Sequence, residues 1–155
     1  MRDPQLRRAT LADVAHVRAV TRGAYAKWVP LIGREPLPMR ANFERAVADH
    51  VIDLWEEDGK LLALIEMIPE GTHLLIENIA VLPECQGQGL GDKLLRHAGE
   101  TARALGLGEM RLYTNAAFVS NVTFYAKRGF SEYLREAIPT GGVVVHMRKV
   151  VATSS

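Results

Sequence analysis

The chain has 155 residues, 48% of them hydrophobic, with 19 Lys plus Arg against 18 Asp plus Glu and a net charge of +1. That size and apolar content suit one globular domain with one core, residues 1–155 with an ordered part of about 4–150. The balanced charge leaves no electrostatic footprint for nucleic acid and gives no argument for a membrane surface.

The start, MRDPQLRRAT, lacks the apolar core of a signal peptide. Gln5 to Ala9 reads as a short first strand. Thr10, with Asp13 three residues on, is a helix start, and Leu11, Val14, Val17, Val20 and Ala24 mark one face of a helix from about Leu11 to Ala26. His16 lies within it and is assigned no role. Tyr25 and Trp28 lead into a stretch with Pro30, Gly33, Pro36 and Pro38, and three prolines in nine residues forbid a regular helix there. That loop either walls an acceptor site or packs its aromatics beneath itself. A second helix is expected from Met39 to Asp49, with Phe43 and Val47 on one face. His50 to Glu56 reads as a strand, Asp58-Gly59 as a hairpin turn, and Leu61 to Ile68 as the returning strand, interrupted by Glu66. Pro69 to Thr72 turns the chain again.

Leu74 to Leu82 is an apolar run that reads as a buried strand, ended by Pro83. Glu84, Cys85 and Gln86 follow, then Gly87, Gly89 and Gly91 at alternate positions. Leu90, Leu94, Leu95, Ala98, Ala102 and Leu105 recur at the helical period, and Gly106 stops the helix. Strand, glycine-rich loop, helix is the arrangement of an anion cradle: a helix start carries unpaired N–H groups and the positive end of the dipole, and glycines let phosphates approach the backbone. The P-loop pattern is excluded, because no Lys-Ser or Lys-Thr pair follows the glycines. The dinucleotide pattern G-x-G-x-x-G fits poorly, since its third glycine falls on Asp92. The alternative is a turn that merely joins strand to helix. Cys85 is the single cysteine, so no internal disulfide forms and a reducing cytoplasm is the expected location. No histidine adjoins Cys85 in sequence, and it is read as a packing residue rather than a nucleophile.

Beyond Gly106, Met110 to Thr114 reads as a strand, Phe118 to Arg128 as a helix closed by Gly129, and Phe130 to Ala137 and Val143 to Val151 as two strands joined by PTGG. Ala152 to Ser155 reads as a frayed tail. No apolar run approaches the roughly 20 residues of a membrane span. The order β-α-α-β-β-β-α-β-α-β-β gives an α/β (α+β) class: a central mixed, mostly antiparallel sheet of about seven strands with about four helices on both faces.

Gln86, Gly89 and Gly91 fill [QR]-x-x-G-x-[GA], and this resembles the coenzyme A pyrophosphate loop of the GNAT superfamily of N-acetyltransferases. IENIAVLPE before it is similar to that family's fourth strand, and Tyr125, Gly129 and Phe130 fit its Tyr-then-Gly-Phe helix ending. The likeness covers roughly residues 4 to 150. It implies transfer of an acetyl group from acetyl-CoA to a primary amine by direct attack in a ternary complex, with acetyl-CoA as co-substrate and no metal. The alternative is an acyl-CoA-binding sensor or assembly subunit with the same fold and no turnover.

The resemblance implies that the amides of Gln86, Gly87, Gln88, Gly89, Leu90, Gly91 and Asp92 hold the pyrophosphate. Backbone groups of Ile79, Ala80 and Val81 would pair with the pantetheine amides like an added strand, one N–H, that of Val81, polarising the thioester carbonyl. Tyr125 would protonate the departing sulfur. Many members carry an asparagine seven residues before that tyrosine; Phe118 stands there, and Asn121 is assigned its contact with pantetheine in preference to Asn115. Glu77 is assigned as base, because strand alternation puts it on one face with Ile79 and Val81, and a carboxylate among apolar neighbours is a stronger base. The alternative is a salt-bridged strand glutamate, and Glu66 and His73 are reserves. Some relatives carry a glutamate on the strand where Tyr113 stands. Dimers through the last strands are common in the family, so a homodimer is possible. The acceptor itself is not encoded in any pattern.

Overall fold

The structure, a computed structural model, describes residues 4–139 and 141–152. The first three residues of the MRDPQLRRAT start, Thr140 of the PTGG connection and the expected tail from Thr153 on lie outside the described residues. The strands are β1 (Gln5–Arg8), β2 (Val51–Glu57), β3 (Lys60–Glu70), β4 (His73–Val81), β5 (Glu109–Asn115), β6 (Ser131–Ala137) and β7 (Val143–Val150). The helices are α1 (Val14–Tyr25), the single turn α2 (Val29–Ile32), α3 (Phe43–Asp49), α4 (Leu90–Ala104) and α5 (Val119–Lys127). The seven strands run in the order β1-β2-β3-β4-β5-β7-β6. β4 and β5 are parallel, while β1–β2, β2–β3, β5–β7 and β6–β7 are antiparallel. The expected mixed, mostly antiparallel seven-stranded sheet is therefore present. The chain divides into two compact units, one reaching to Ile68 and including Asn78–His97, the other comprising Pro69–Glu77 and the chain from Ala98 onward.

In the first unit, Val17, Val20 and Ala24 of α1 form one buried stripe against Phe43, Ala46, Ile52, Leu54 and Leu64. Each fully buried aliphatic side chain contributes about 1.5–3 kcal/mol. Ahead of α1 the chain makes a 3-10 turn, Leu11–Asp13, whose Asp13 Oδ2 accepts from the Thr10 N–H at 2.8 Å. The helix expected from Leu11 thus begins tighter than predicted. Its other end also differs. A 3-10 turn, Ala26–Trp28, carries the chain into α2, with Pro30 in the first turn and Gly33 closing it at φ 72°. Proline breaks a helix from within, but in the first turn its missing N–H has no partner to lose. The expected exclusion of helix therefore fails at Pro30. It holds at Pro36 and Pro38, where only a 3-10 turn, Leu37–Arg40, forms. Asn42 then restarts the helix by accepting from the Arg45 N–H at 3.0 Å, so α3 begins at Phe43 rather than Met39. The β2–β3 hairpin turns on Asp58 and Gly59 at φ 53° and 76°, the conformation that an Asp-Gly turn supplies.

In the second unit β5 pairs with β7 along its whole length, Glu109↔Val150 to Asn115↔Val144, and alternates half-buried and buried residues. The parallel β4–β5 ladder covers only Leu74↔Met110 to Ile76↔Leu112. α4 ends in a Schellman cap: Gly106 at φ 72°, with Leu107 N bonded to Ala102 O at 2.9 Å and Gly106 N to Arg103 O at 3.1 Å. Edge strand β6 is exposed at every residue.

Candidate functional site

β4 alternates strictly, with Leu74, Ile76, Asn78 and Ala80 buried and Leu75, Glu77, Ile79 and Val81 half-buried. The predicted common face of Glu77, Ile79 and Val81 is the one observed. Ala80 has no exposure, backbone included. After Val81 the chain makes a 3-10 turn, Pro83–Cys85, with Cys85 buried within it. Gly87 and Gly89 follow at φ 79° and 84°, where an L side chain is strained. A Cβ built on either would meet no atom within 4 Å. The glycines therefore leave open space above the backbone rather than relieve a clash.

The N–H groups of Gly87, Gln88, Gly89, Leu90 and Gly91 form no hydrogen bond among the described residues, and the first bond into α4 is Lys93 N to Gly89 O at 3.1 Å. Five successive unpaired donors at the start of a 15-residue helix are an arrangement that a helix N-terminus can offer to an anion. Two predicted members differ in detail. The Gln86 N–H is already bonded, to Pro83 O at 3.3 Å, so this amide is turned to its own turn rather than outward. Asp92 is held by Arg96 at 3.2 Å, which draws its carboxylate along the helix flank. The Leu90 side chain is buried and anchors the helix start.

The Gln86 side chain acts as a brace. Its Nε2 donates to Val81 O at 3.0 Å, and its Oε1 accepts from Lys27 Nζ at 2.9 Å. One amide thus fixes the loop to the end of β4 and to the turn after α1. Nearby, buried Asn78 donates to Thr21 Oγ1 at 3.2 Å, and its Oδ1 is the one buried side-chain polar atom without a partner among the described residues. Sequence reasoning singled out neither Lys27 nor Asn78. Lys27 lies 59 residues from Gln86, and no local pattern connects them.

In the second unit, the Tyr113 hydroxyl donates to Glu77 Oε1 at 2.6 Å. Glu77 and Tyr113 are the next positions after the last ladder pair, Ile76↔Leu112, so a side-chain bond joins the strands where the backbone ladder stops. Glu77 is bonded to a neutral phenol here. Of the reserves, Glu66 is buried and bound to His50 Nδ1 at 2.6 Å, and His73 lies 3.0 Å from Thr72 Oγ1.

Tyr125, Gly129 and Phe130 owe their spacing to a second Schellman cap. Phe130 N bonds Tyr125 O at 3.1 Å and Gly129 N bonds Ala126 O at 3.2 Å, with Gly129 at φ 93°. The hydrophobic contact of that motif is the Tyr125–Phe130 pair, edge to face with centroids 5.8 Å apart. Burial pushes the Tyr125 phenol up to about 12, although the residue as a whole keeps some exposure. The hydroxyl is therefore protonated across the physiological range and has no hydrogen-bond partner among the described residues. Asn121 occupies the first turn of α5, its N–H bonded to Phe118 O at 2.9 Å. Asn115 instead closes a turn, its Oδ1 accepting from Ala117 N at 2.9 Å. Phe118, standing where many relatives carry asparagine, is buried. No group of three or more His, Cys, Asp or Glu side chains that could hold a metal occurs among the described residues, and no helix there is long and apolar enough to cross a membrane.

The family model described as "Acetyltransferase (GNAT) family" matches residues 18–130. Among solved structures, the paiA N-acetyltransferase of Thermoplasma acidophilum, in complex with coenzyme A, superposes with a TM-score of 0.79 at 19% identity, covering 96% of this chain and 99% of that one. The ribosomal-protein-S18-alanine N-acetyltransferase of Escherichia coli gives 0.79 at 18% identity, covering 99% and 97%. A GNAT family acetyltransferase from Elizabethkingia anophelis with acetyl-CoA bound gives 0.75 at 14% identity, covering 97% and 99%. At these identities the superpositions establish a shared fold.

Proposed function

The chain belongs to the acetyltransferase (GNAT) family, and from that premise we propose that it transfers an acetyl group from acetyl-CoA to a primary amine by direct attack in a ternary complex. The observation that carries the reading is the run of five unpaired amides, Gly87 to Gly91, at the start of α4, with open space beside Gly87 and Gly89. Two of the superposed relatives hold coenzyme A or acetyl-CoA, which agrees with this assignment.

In this reading the Gly87–Gly91 amides, with Asp92 N–H beside them, bind the pyrophosphate, and Gln86 acts through its bracing side chain. The backbone edge of Ile79, Ala80 and Val81 pairs with the pantetheine amides, and the Val81 N–H polarises the thioester carbonyl. Asn121 bonds the pantetheine arm. Glu77 takes the proton of the incoming ammonium, directly or through water, on Oε2, since Tyr113 occupies Oε1. The free amine then forms the C–N bond, the C–S bond breaks, and the electron pair leaves on sulfur. Tyr125 donates its hydroxyl hydrogen to that sulfur, and the second proton that the nitrogen sheds as the amide forms returns to the Tyr125 phenolate through water. In bulk water a phenol near 12 does not readily protonate a thiolate of about 8.5. Desolvation of the thiolate raises its basicity and narrows the gap. The whole chain acts as a single domain, and a homodimer through the last strands belongs to the same proposal, which light scattering tests.

The test is incubation with acetyl-CoA and a panel of amines, reading free thiol and acetylated product. Turnover with at least one amine supports the reading. Binding of acetyl-CoA without thiol release across a broad panel supports the sensor instead.

A further inference from the structure

The Gly87–Gly91 loop offers amide dipoles but no whole positive charge of its own. Asp92 pairs with Arg96 at 3.2 Å and Glu84 with Lys60 at 3.9 Å, while Lys93 Nζ keeps its charge over the Trp55 ring, 5.3 Å from its centroid. Lys27 differs in being bonded to the loop itself. Its hydrogen-bond acceptor is the neutral Gln86 amide, at 2.9 Å, and no carboxylate pairs with it among the described residues. The segment that carries it is held beside the loop, while the Lys27 side chain itself is exposed. Thr21 of α1 bonds Asn78 of β4 at 3.2 Å, a Cβ on Gly23 would lie 3.8 Å from Pro83 Cδ, and the ammonium sits 5.0 Å from the Trp28 ring. The end of α1 is thus docked on the entry to the loop, with an uncompensated cation at the loop's first residue. The [QR] position of the motif admits arginine or glutamine; here it is glutamine, and a lysine from a distant element rests on its oxygen.

We infer that Lys27 is a coenzyme-binding residue that supplies the positive charge for the pyrophosphate at the glycine loop, a role that rests on the acetyl-CoA reading above. An exposed ammonium several ångströms from a phosphate is worth only a modest attraction, and salt screens it. The expected contribution is about three- to tenfold in Kd at low ionic strength.

The test is calorimetric titration of coenzyme A into the wild type, Lys27→Gln and Lys27→Arg proteins at low and high salt. Glutamine keeps a donor for the Gln86 oxygen without the charge; arginine keeps both. Lys27→Gln should bind about three- to tenfold more weakly at low salt, converge on the wild type at high salt, and lose the same factor for 3′-dephospho-coenzyme A. Lys27→Arg should stay within about twofold. Equal affinities of wild type and Lys27→Gln at low salt overturn the assignment. So does a loss confined to coenzyme A and absent for the dephospho compound, since the charge would then serve the 3′-phosphate. A loss common to Lys27→Gln and Lys27→Arg also overturns it, by making geometry rather than charge the cause. If the wild type binds no coenzyme A, it is the acetyl-CoA reading that fails.

Discussion

Replacing Gly89 by alanine separates a ligand cradle from a connecting turn. Gly89 sits at φ 84°, and a Cβ there meets nothing within 4 Å. The substitution therefore introduces no clash in the free protein, only the left-handed strain of an L residue, about 1–2 kcal/mol. If the loop keeps its shape, that strain appears as lost stability, and the new methyl stands over the unpaired amides. If the loop relaxes, stability is spared, but the coenzyme must restore the geometry and binding bears the cost. At 1.4 kcal/mol per tenfold, 1–2 kcal/mol is about 5–30-fold in Kd, with steric blocking in addition. Gly108 is the control, because it has open space and no positive φ. Calorimetry with acetyl-CoA and thermal melting together read the outcome. Gly89→Ala should fold, melt at most a few degrees low and bind at least fivefold more weakly, while Gly108→Ala should bind like the wild type. Unchanged acetyl-CoA affinity in Gly89→Ala would refute the cradle.

Tyr125→Phe removes the hydroxyl and keeps the edge-to-face contact with Phe130, so melting temperature and coenzyme Kd should hold while turnover falls about 10²-fold under conditions where chemistry limits. Glu77→Gln should alter the low-pH limb of the rate profile with coenzyme affinity unchanged, and an amine of lower intrinsic pKa should lose less activity than a more basic one; equal losses point away from a base. Gly129→Ala forces an L residue to φ 93° and brings its Cβ to 3.2 Å from Lys149 Cε, so stability should fall by about 1–2 kcal/mol in chemical denaturation, with turnover falling as the Tyr125 cap distorts. The hydrogen bond from Arg7 holds the Asp13 carboxyl well below its ordinary value of 3.8. Because the folded pKa is depressed, this stabilisation is present above that value and is lost as pH falls through the folded one. Melting temperature should therefore drop on acidification below about pH 4, and Asp13→Asn should make that dependence shallower.

What the sequence made legible was local. The strand over 74–82, the Asp-Gly turn and the Gly106 stop are each decided by residues within a few positions and each appears there, the strand as His73–Val81 with only alternate residues fully buried. The Tyr125–Gly129–Phe130 spacing was legible as a motif, and the Schellman cap now gives its physical reason. Pro30 misled because a proline's effect depends on where the helix begins, which no count of prolines states. The start of α3 turned on the Asn42 cap rather than on the apolar positions before it. At the candidate site the illegible parts are pairings between distant residues. Tyr113 meets Glu77 across 36 positions, His50 meets Glu66 across 16, and Lys27 meets Gln86 across 59. Each depends on strand register or helix docking, which tertiary packing sets.

Acyl transfer itself is most directly tested by one measurement: thiol release from acetyl-CoA by the wild-type protein with a broad amine panel, with each amine checked for acetylation by mass spectrometry. Amine-dependent thiol release with stoichiometric N-acetylated product, abolished by loss of the loop's binding, is the predicted result. Saturable acetyl-CoA binding with no acetylated product from any amine would contradict the assignment of catalysis.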